Sequence, residues 1–460
     1  MCGINVVIGG TWEQVQKMHE ATAHRGVFDI YRSIELDGNK MAHVKYNHLP
    51  ITTETTQSAF ETENYIVWLN GFISNHKELA EKYEMKLATT CDTEVLANVI
   101  QNNINFYELN GFFSVVYFDK RNKVFKAFTD RYGIKQLYSY IDAKGVQFLC
   151  SELKGILAVC PEIEMDEEGV NMWRYTLGVM NENTIYKNVT RVGKLPLLNI
   201  KRSTDTSELA YANAQIQLNE ILLRVAHRNQ YSGATGVLLS GGIDSGLIAK
   251  LMSPEYTFSV DYVEKDYSEI ELIKENSEGI HYSIIMNNEN SIQYAHKTMQ
   301  ALDDLKAGSC YTNFAVTELA SKFVRVIYSG AGGDEFFGGY PHRLNRRIED
   351  VVKRDSNPHV EVVIDGLTHF DYDMLFLDSV LVVEDRMSAF HTMECRYPLL
   401  DNELVNFAMS LPLEFIENKR ILKDVSGLSE NVLKGKKRGF SNPLFTNGEW
   451  VNFTLKNLKR

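Results

Sequence analysis

The segment that most constrains this chain is the motif 240–245, Ser-Gly-Gly-Ile-Asp-Ser, which directly follows the apolar run 236–239. A strand that ends in two glycines and then opens a helix leaves backbone N–H groups pointing outward at the positive end of the helix dipole. The motif therefore predicts an anion cradle, and it is not a Walker A loop because no Gly-Lys-Ser/Thr follows. Asp244 would repel a phosphate unless it holds a divalent cation that bridges to the phosphates. The alternative is a glycine-rich turn that only connects strand and helix.

A second constraint is Cys2, which directly follows the initiator methionine. A small side chain at this position normally permits removal of that methionine, which would give Cys2 a free α-amine beside its thiol. The amine titrates at about 7.7–8.0 when unperturbed, so one residue could supply both a nucleophile and its base. An ordinary buried cysteine is the alternative that position alone leaves open.

The two halves of the chain differ in pattern. Short segments rich in Val, Ile, Phe and Tyr, such as 65–69 and 112–118, alternate with turns through residues 1–150, with helical patterns at 11–23 and 93–101. From about residue 210, long helical stretches separate short apolar strands, which predicts a parallel sheet with ligands at the strand C-termini. The helical stretches are 208–229, 290–302 and 313–323, and the strands include 257–260 and 324–328.

Composition restricts the class of protein. A length of 460 residues indicates two or three domains, and a net charge of −12 argues against a nucleic-acid-binding protein. Six scattered cysteines are typical of reduced thiols, and no apolar run reaches the length of a membrane span. We therefore expect a cytoplasmic protein with no membrane or nucleic-acid partner.

Several short motifs occur in an order that resembles a known family, the glutamine-hydrolysing asparagine synthetases. In the first half they resemble class II glutamine amidotransferase domains: Cys2-Gly3-Ile4, His24-Arg25-Gly26, Asn70-Gly71, Asp92 and the run 130–135. In the second half the runs 240–245, 329–340 and 394–401 agree with the same family. The resemblance implies an α/β protein. An αββα sandwich of the N-terminal nucleophile type would occupy 2–195, and a parallel-sheet PP-loop synthetase domain would occupy 205–460.

The resemblance also implies a reaction. The first domain would hydrolyse glutamine to ammonia. The second would use ATP and Mg²⁺ to adenylate a carboxylate, with aspartate as the leading case, and ammonia would then displace AMP. Relatives of this kind are usually dimers, so the resemblance allows a homodimer.

In the glutaminase site, the resemblance gives Cys2 as nucleophile and Asn70 and Gly71 as oxyanion donors that follow a strand and precede a helix. Taken alone, Asn-Gly could equally be a turn between two strands. Asp92 would bind the glutamine amine, although by itself it could be a helix N-cap. The implied glutamine-binding residues are His48, Leu49, Pro50, Ile51, Asn70, Gly71 and Asp92.

Two residues of this site depart from the family pattern. His48 aligns with the arginine that clamps the glutamine carboxylate, and histidine is a weaker clamp because it is neutral much of the time near pH 7. Phe72 replaces a glutamate that contacts the glutamine amine. We therefore predict a weak affinity for glutamine.

In the synthetase site, the resemblance gives Asp244 and Asp334 as Mg²⁺ ligands and Lys419 as a catalytic cation on the pyrophosphate and acyl centre. Without it, Lys419 could be a solvated helix lysine. The basic run 434–438 could close over the phosphates or form a surface turn. The implied ATP-binding residues are Leu238, Ser240, Gly241, Gly242, Asp244, Ser245, Val260, Ser329 and Gly330, of which Leu238 and Val260 could equally be strand core.

Among the substrates, the acceptor acid is the one that the sequence determines least. Many relatives carry an acidic residue where this chain has Ala331, so either Glu335 or Glu394 takes its role or the acceptor is not aspartate. A sister enzyme that aminates another carboxylate, such as a sugar acid or an amino-acid derivative, is the first alternative. A non-catalytic nucleotide-binding relative is the second, although the joint presence of the thiol, both aspartates and Lys419 argues against it.

Overall fold

The computed structural model describes residues 2–51, 59–176, 182–264, 266–304, 310–340, 368–435 and 447–458. The chain forms two compact units. The first contains 1–171, 179–197 and 389–394, and the second contains 172–178, 198–388 and 395–460. Each unit has its own sheets and its own core.

The strands in chain order are β1 (Gly3–Ile8), β2 (Phe28–Glu35), β3 (Met41–His48), β4 (Ala59–Glu61), β5 (Tyr65–Ile73), β6 (Gly111–Asp119), β7 (Val124–Thr129), β8 (Tyr138–Ile141), β9 (Gln147–Cys150), β10 (Thr190–Arg191), β11 (Thr235–Leu238), β12 (Tyr256–Tyr262), β13 (Ile280–Met286), β14 (Val326–Tyr328) and β15 (Glu394–Arg396). The α-helices are α1 (Trp12–Ala21), α2 (His76–Lys82), α3 (Asp92–Gln101), α4 (Leu153–Leu157), α5 (Glu167–Thr176), α6 (Glu208–Asn229), α7 (Ile243–Met252), α8 (Ile270–Asn276), α9 (Asn288–Ala301), α10 (Tyr311–Ala320), α11 (Gly333–Phe336), α12 (His369–Phe390), α13 (Asn402–Ser410), α14 (Leu413–Ile416), α15 (Arg420–Ser426), α16 (Glu430–Lys434) and α17 (Asn447–Leu458).

The first unit is built on two antiparallel sheets, with strand orders β10-β8-β9-β1-β3-β2 and β4-β5-β6-β7. Alternating side chains of β1 and β5, such as Ile4 and Trp68, meet in one buried cluster between the sheets. The opposite face of β5 packs on α3, where Leu69 and Val95 share a second cluster. Helix α1 contacts β1 and β3 on the other sheet. The predicted αββα sandwich is confirmed.

The second unit is built on a five-stranded sheet with the order β13-β12-β11-β14-β15. Strand β11 is parallel to both of its neighbours, β12 and β14, and β12 is parallel to β13. The predicted parallel sheet is confirmed. Because β11 and β14 are adjacent and parallel, the loops that follow them emerge side by side at one edge of the sheet.

One local prediction in the first unit is wrong, and so is one alternative that the sequence left open. Asn70 and Gly71 do not follow a strand but lie inside β5, because β6 pairs with β5 as far as Ile73. Gly71 has a φ of +127°, and a Cβ there would lie 2.7 Å from the Cα of Phe113, so only glycine fits. Asp92 is not an N-cap either, since Cys91 caps α3 and Asp92 is its first residue.

All six cysteines are buried and free of disulfides. Among the helices that the structure describes, none has the length and apolar character needed to cross a bilayer.

Candidate active site

Cys2 lies at the entry to β1 in the first unit and is 6% exposed. Its backbone nitrogen donates to Asn70 Oδ1 at 3.0 Å, and its carbonyl oxygen accepts from Arg25 Nε at 2.9 Å. Its Sγ is 3.5 Å from the backbone nitrogen of Leu49, which donates to it. The backbone on both sides of the thiol is therefore held by buried polar groups.

Cys2 is one of the residues that line a small, partly open pocket in the first unit. The structure brings six of the predicted glutamine-binding or catalytic positions to this pocket together with Cys2. They are His48, Leu49, Pro50, Ile51, Gly71 and Asp92. Sequence reasoning missed the other residues that line it, which are Tyr46, Leu69, Cys91, Thr93 and Glu394.

Asn70 is fully buried and is not among the pocket-lining residues. Its Oδ1 accepts from the Cys2 nitrogen, and its Nδ2 donates to Ser114 Oγ at 3.3 Å. The side chain is thus placed to hold the Cys2 nitrogen, which sequence reasoning did not anticipate. Gly71 brings bare backbone to the pocket on the next position of the same strand.

The pocket is lined by the carboxylates of Asp92 and Glu394. His48, the residue predicted to bind the glutamine carboxylate, is a neutral imidazole. Burial chiefly, and the positive charge of the chain N-terminus secondarily, lowers the pKa of His48 to about 4. His48 is 8% exposed, and its Nδ1 has no hydrogen-bond partner among the described residues. Asp92 accepts from the backbone nitrogen of Ile73 at 3.0 Å at the positive end of α3. At neutral pH, position 48 therefore presents no positive charge to a substrate carboxylate.

A buried ionic network lies behind Cys2. Arg25 and Glu152 both have fully buried side chains, and Arg25 Nη1 donates to Glu152 Oε1 at 2.7 Å. His24 Nε2 lies 3.0 Å from the same oxygen, and Lys154 Nζ lies 3.0 Å from Oε2. Because Arg25 also holds the Cys2 carbonyl, Glu152 fixes the backbone of Cys2 through Arg25. The His-Arg-Gly motif signalled Arg25, but no sequence signal pointed to Glu152.

Two neighbouring aromatic residues behave differently. Phe72, which replaces the family glutamate, is 3% exposed and packs against Phe112 and His76 rather than lining the pocket. Tyr46 lines the pocket, and its hydroxyl donates to the carbonyl oxygen of Leu69. Burial raises the pKa of Tyr46 well above its usual value, so the phenol stays protonated beside the thiol.

In the second unit, the loops after β11 and β14 touch through their backbones. A Cβ at Gly330 would lie 2.8 Å from the backbone nitrogen of Ser245 and 2.8 Å from the carbonyl carbon of Asp244. A Cβ at Gly333 would clash with the Asp244 carboxylate. The absence of side chains at these glycines is what allows the two loops to share one crevice.

Lys419 lies between the two aspartates that the sequence singles out. Its Nζ is 2.5 Å from Asp334 Oδ1 and also forms an ion pair with Asp244 Oδ2. Burial alone would lower the pKa of Lys419, but the charges of Asp244 and Asp334 outweigh it and raise the pKa above its usual value. Lys419 is 6% exposed, with a left-handed backbone (φ +59°) just before α15. It is therefore not the solvated helix lysine that sequence alone allowed.

The donor set fits a magnesium ion that is completed by a nucleotide. Among the described residues, no three His, Cys, Asp or Glu side chains cluster as a complete metal site. Mg²⁺ commonly takes only one or two carboxylates together with phosphate oxygens and water. Asp244 and Asp334 both contact the ammonium group of Lys419, so two carboxylates of the kind that Mg²⁺ uses lie close together.

The cradle itself is held by short hydrogen bonds. Ser240 Oγ and Ser245 Oγ are 2.8 Å apart, and the Gly242 nitrogen, at the N-cap of α7, donates to Ser240 Oγ at 3.1 Å. The Gly241 nitrogen donates to the carboxylate of Glu269 at 3.3 Å, which shows that it is oriented toward an anionic oxygen. Leu238 ends β11, and Val260 lies in β12, the strand paired beside it; both are half-buried. Ser329 is 3% exposed and directly follows β14.

Three further sequence candidates are placed as follows. Glu394 lines the thiol pocket and belongs to the first unit. Glu335 accepts a hydrogen bond from the hydroxyl of Tyr340 at 2.8 Å. In the basic run, Lys434 is exposed and paired with Glu430, while 436–438 lie outside the described residues.

Comparison with known proteins agrees with this geometry. Residues 220–459 match asparagine synthase, and residues 1–211 match a glutamine amidotransferase domain. The chain belongs to the asparagine synthase family.

Named relatives are distant in sequence. A putative glutamine-hydrolysing asparagine synthetase 2 of Methanocaldococcus jannaschii is 28% identical over 77% of this chain and 78% of its own length. The glutamine-hydrolysing asparagine synthetase of Homo sapiens is 24% identical over 94% of this chain and 80% of its own length. For asparagine synthetase 1 of Bacillus subtilis the identity is 28%, over 71% of this chain and 56% of its own length.

Proposed function

We propose that this protein is an ATP-dependent amide ligase of the asparagine synthetase type, with glutamine as nitrogen donor and aspartate as the leading acceptor. The first unit acts as the glutaminase, predicted over 2–195, and the second as the synthetase, predicted over 205–460. The observation that carries the proposal is the convergence of Lys419, Asp244 and Asp334 at the ends of two neighbouring parallel strands.

In the glutaminase site, removal of the initiator methionine turns the Cys2 nitrogen into a free amine within reach of Asn70 Oδ1. That amine takes the thiol proton, and the thiolate attacks the glutamine amide in the pocket. The Gly71 N–H and the Asn70 amide are the proposed oxyanion donors. Asp92 binds the ammonium group of glutamine, while His48 offers its carboxylate only a neutral ring.

In the synthetase site, the cradle 240–245 and the Ser329-Gly330 turn bind ATP, with Leu238 and Val260 beside the adenine. Asp244 and Asp334 would hold Mg²⁺, which neutralises phosphate charge when it is bound. Lys419 is placed to stabilise the negative charge that develops on pyrophosphate when the acceptor carboxylate attacks the α-phosphate. Because two carboxylates keep this lysine protonated, it acts as a fixed cation and not as a base.

A second acceptor class has one observation in its favour. The position that is acidic in many relatives is Ala331 here, and the two carboxylates that the sequence offered as substitutes have other contacts: Glu335 accepts from Tyr340 and Glu394 lines the thiol pocket. The chain could therefore act on a carboxylate other than aspartate, such as a sugar acid or a longer amino-acid derivative.

The test is pyrophosphate release from ATP with Mg²⁺ and ammonia across a panel of acids. Dependence on aspartate supports the lead, and dependence on another acid selects the second class. Lys419→Met should lower the rate by about 10²–10³-fold, because it removes a preorganised charge. Lys274→Met, which changes an exposed lysine paired with Glu271, should leave the rate unchanged. If wild-type protein released no pyrophosphate with any acid, the proposal would be wrong.

A further inference from the structure

The turn that holds Ala331 has a buried carboxyl group behind it. Ser329 Oγ accepts a hydrogen bond from the Ala331 nitrogen at 3.2 Å, which closes the turn after β14. Glu384, which lies on α12, is close enough to the Ser329 side chain for Ser329 to lower the pKa of its carboxyl group. The same hydroxyl therefore links Ala331, the position that lacks an acid, to an acid on a different element.

Glu384 is unusual for a buried residue. It is 7% exposed, and its Oε2 has no hydrogen-bond partner among the described residues. Leaving a buried carboxyl oxygen unpaired costs free energy that a neutral apolar residue would not. Packing alone does not explain such a group. A substrate that binds at the turn after β14 would give the carboxyl oxygen a hydrogen-bond partner during the reaction.

The surroundings set the protonation of Glu384. Burial raises its pKa to about 7, and the hydrogen bond from Ser329 only partly opposes this effect. Tyr397 lies close by, because the charge of Glu384 helps to raise the pKa of that phenol. Near neutral pH the carboxyl group is therefore divided between its two protonation states, which suits a group that accepts and releases a proton.

We propose that Glu384 supplies the carboxyl group that Ala331 does not, and accepts the proton from the amine that displaces AMP. This inference rests on the proposed ligase function. The nitrogen lone pair attacks the acyl carbon of the acyl adenylate and forms the C–N bond. The carboxylate of Glu384 takes one proton from that nitrogen, and the C–O bond to AMP breaks with its electron pair on the phosphate oxygen. The protonated Glu384 then releases its proton to solvent.

The experiment separates adenylation from amide formation in the full-length protein. Acid-dependent exchange of pyrophosphate into ATP measures the first step, and amide formed from ammonia measures the second. Glu384→Gln should lower amide formation by about 10²–10⁴-fold while exchange stays close to the wild-type rate. Glu271→Gln, which alters an exposed carboxylate paired with Lys274, should change neither.

A rescue variant makes the test specific. Ala331→Glu, introduced into Glu384→Gln, should restore part of the amide-forming rate, because it returns an acid to the same turn. Equal losses of exchange and amide formation in Glu384→Gln would mean a structural role and would overturn the inference, as would full amide formation in that variant. If wild-type protein shows no pyrophosphate exchange with any acid, the proposed ligase function is wrong. That result differs from both outcomes above, because they concern the Glu384→Gln variant alone.

Discussion

At the scale of single residues, we propose that position 48 sets the affinity for glutamine. His48 is neutral near pH 7 because its pKa is about 4, so it offers the substrate carboxylate no charge. His48→Arg should lower KM for glutamine by roughly tenfold to a hundredfold, since a hydrogen bond to a charged group contributes about 1.5–3 kcal/mol. Steady-state kinetics with glutamine measure this change.

The matched control is His48→Gln, which keeps a neutral polar side chain and should leave KM near the wild-type value. A wild-type KM in the low micromolar range, or no improvement with arginine, would show that another residue clamps the carboxylate.

Glu384 also makes a prediction about stability that does not depend on activity. Its folded pKa of about 7 lies above the ordinary value of 4.5, so the native state holds a proton that the unfolded state has lost between these values. Stability from this group is present below pH 4.5 and is lost as pH rises toward 7. The unfolding free energy of Glu384→Gln minus that of wild type should therefore be larger at pH 8 than at pH 5. Urea titrations of both proteins at the two pH values measure this difference. An equal effect at both would contradict the raised pKa.

At the scale of elements, the junction between β9 and α4 supports the nucleophile at the start of β1. Glu152 is the N-cap residue of α4 and forms an ion pair with buried Arg25. Arg25 in turn donates a hydrogen bond to the Cys2 carbonyl. Glu152→Gln should destabilise the first unit by about 3–5 kcal/mol, because it leaves a buried guanidinium uncompensated. It should also lower glutamine hydrolysis more than ammonia-dependent synthesis.

Chemical denaturation and the two activity assays measure these effects. The matched control is Glu164→Gln, which breaks an exposed pair with Lys187 and should change neither stability nor rate. A Glu152→Gln protein as stable as wild type would mean that Arg25 finds another partner.

Elements with strong local signals were predictable from the sequence, and those set by distant pairing were not. Helix α6 has the predicted bounds, because Ser207 caps it and its periodicity runs unbroken to Asn229. Asn70 and Gly71 were expected to follow a strand, because the apolar run 65–69 ends there and Asn-Gly is itself a common turn signal. Pairing with β6, more than forty residues further along the chain by the Asn70–Ser114 register, carries β5 past that signal.

At the scale of the whole molecule, the order of motifs predicted two units. It did not predict which chain segments belong to each unit. Residues 389–394 belong to the first unit although the chain on both sides of them belongs to the second. Sequence order placed Glu394 among the synthetase motifs, whereas the structure places it at the thiol pocket of the first unit. Glu384 was missed for a similar reason: burial and an unpaired oxygen leave no mark in a helical sequence.

The central claim is that the thiol of Cys2 serves only the release of nitrogen. The most direct measurement compares glutamine-dependent and ammonia-dependent product formation in Cys2→Ala, with Cys160→Ala as a control for loss of a buried thiol elsewhere in the first unit. We predict that Cys2→Ala abolishes the glutamine-dependent rate and keeps the ammonia-dependent rate, while Cys160→Ala keeps both. Equal loss of both rates in Cys2→Ala, or retention of the glutamine-dependent rate, would contradict the account.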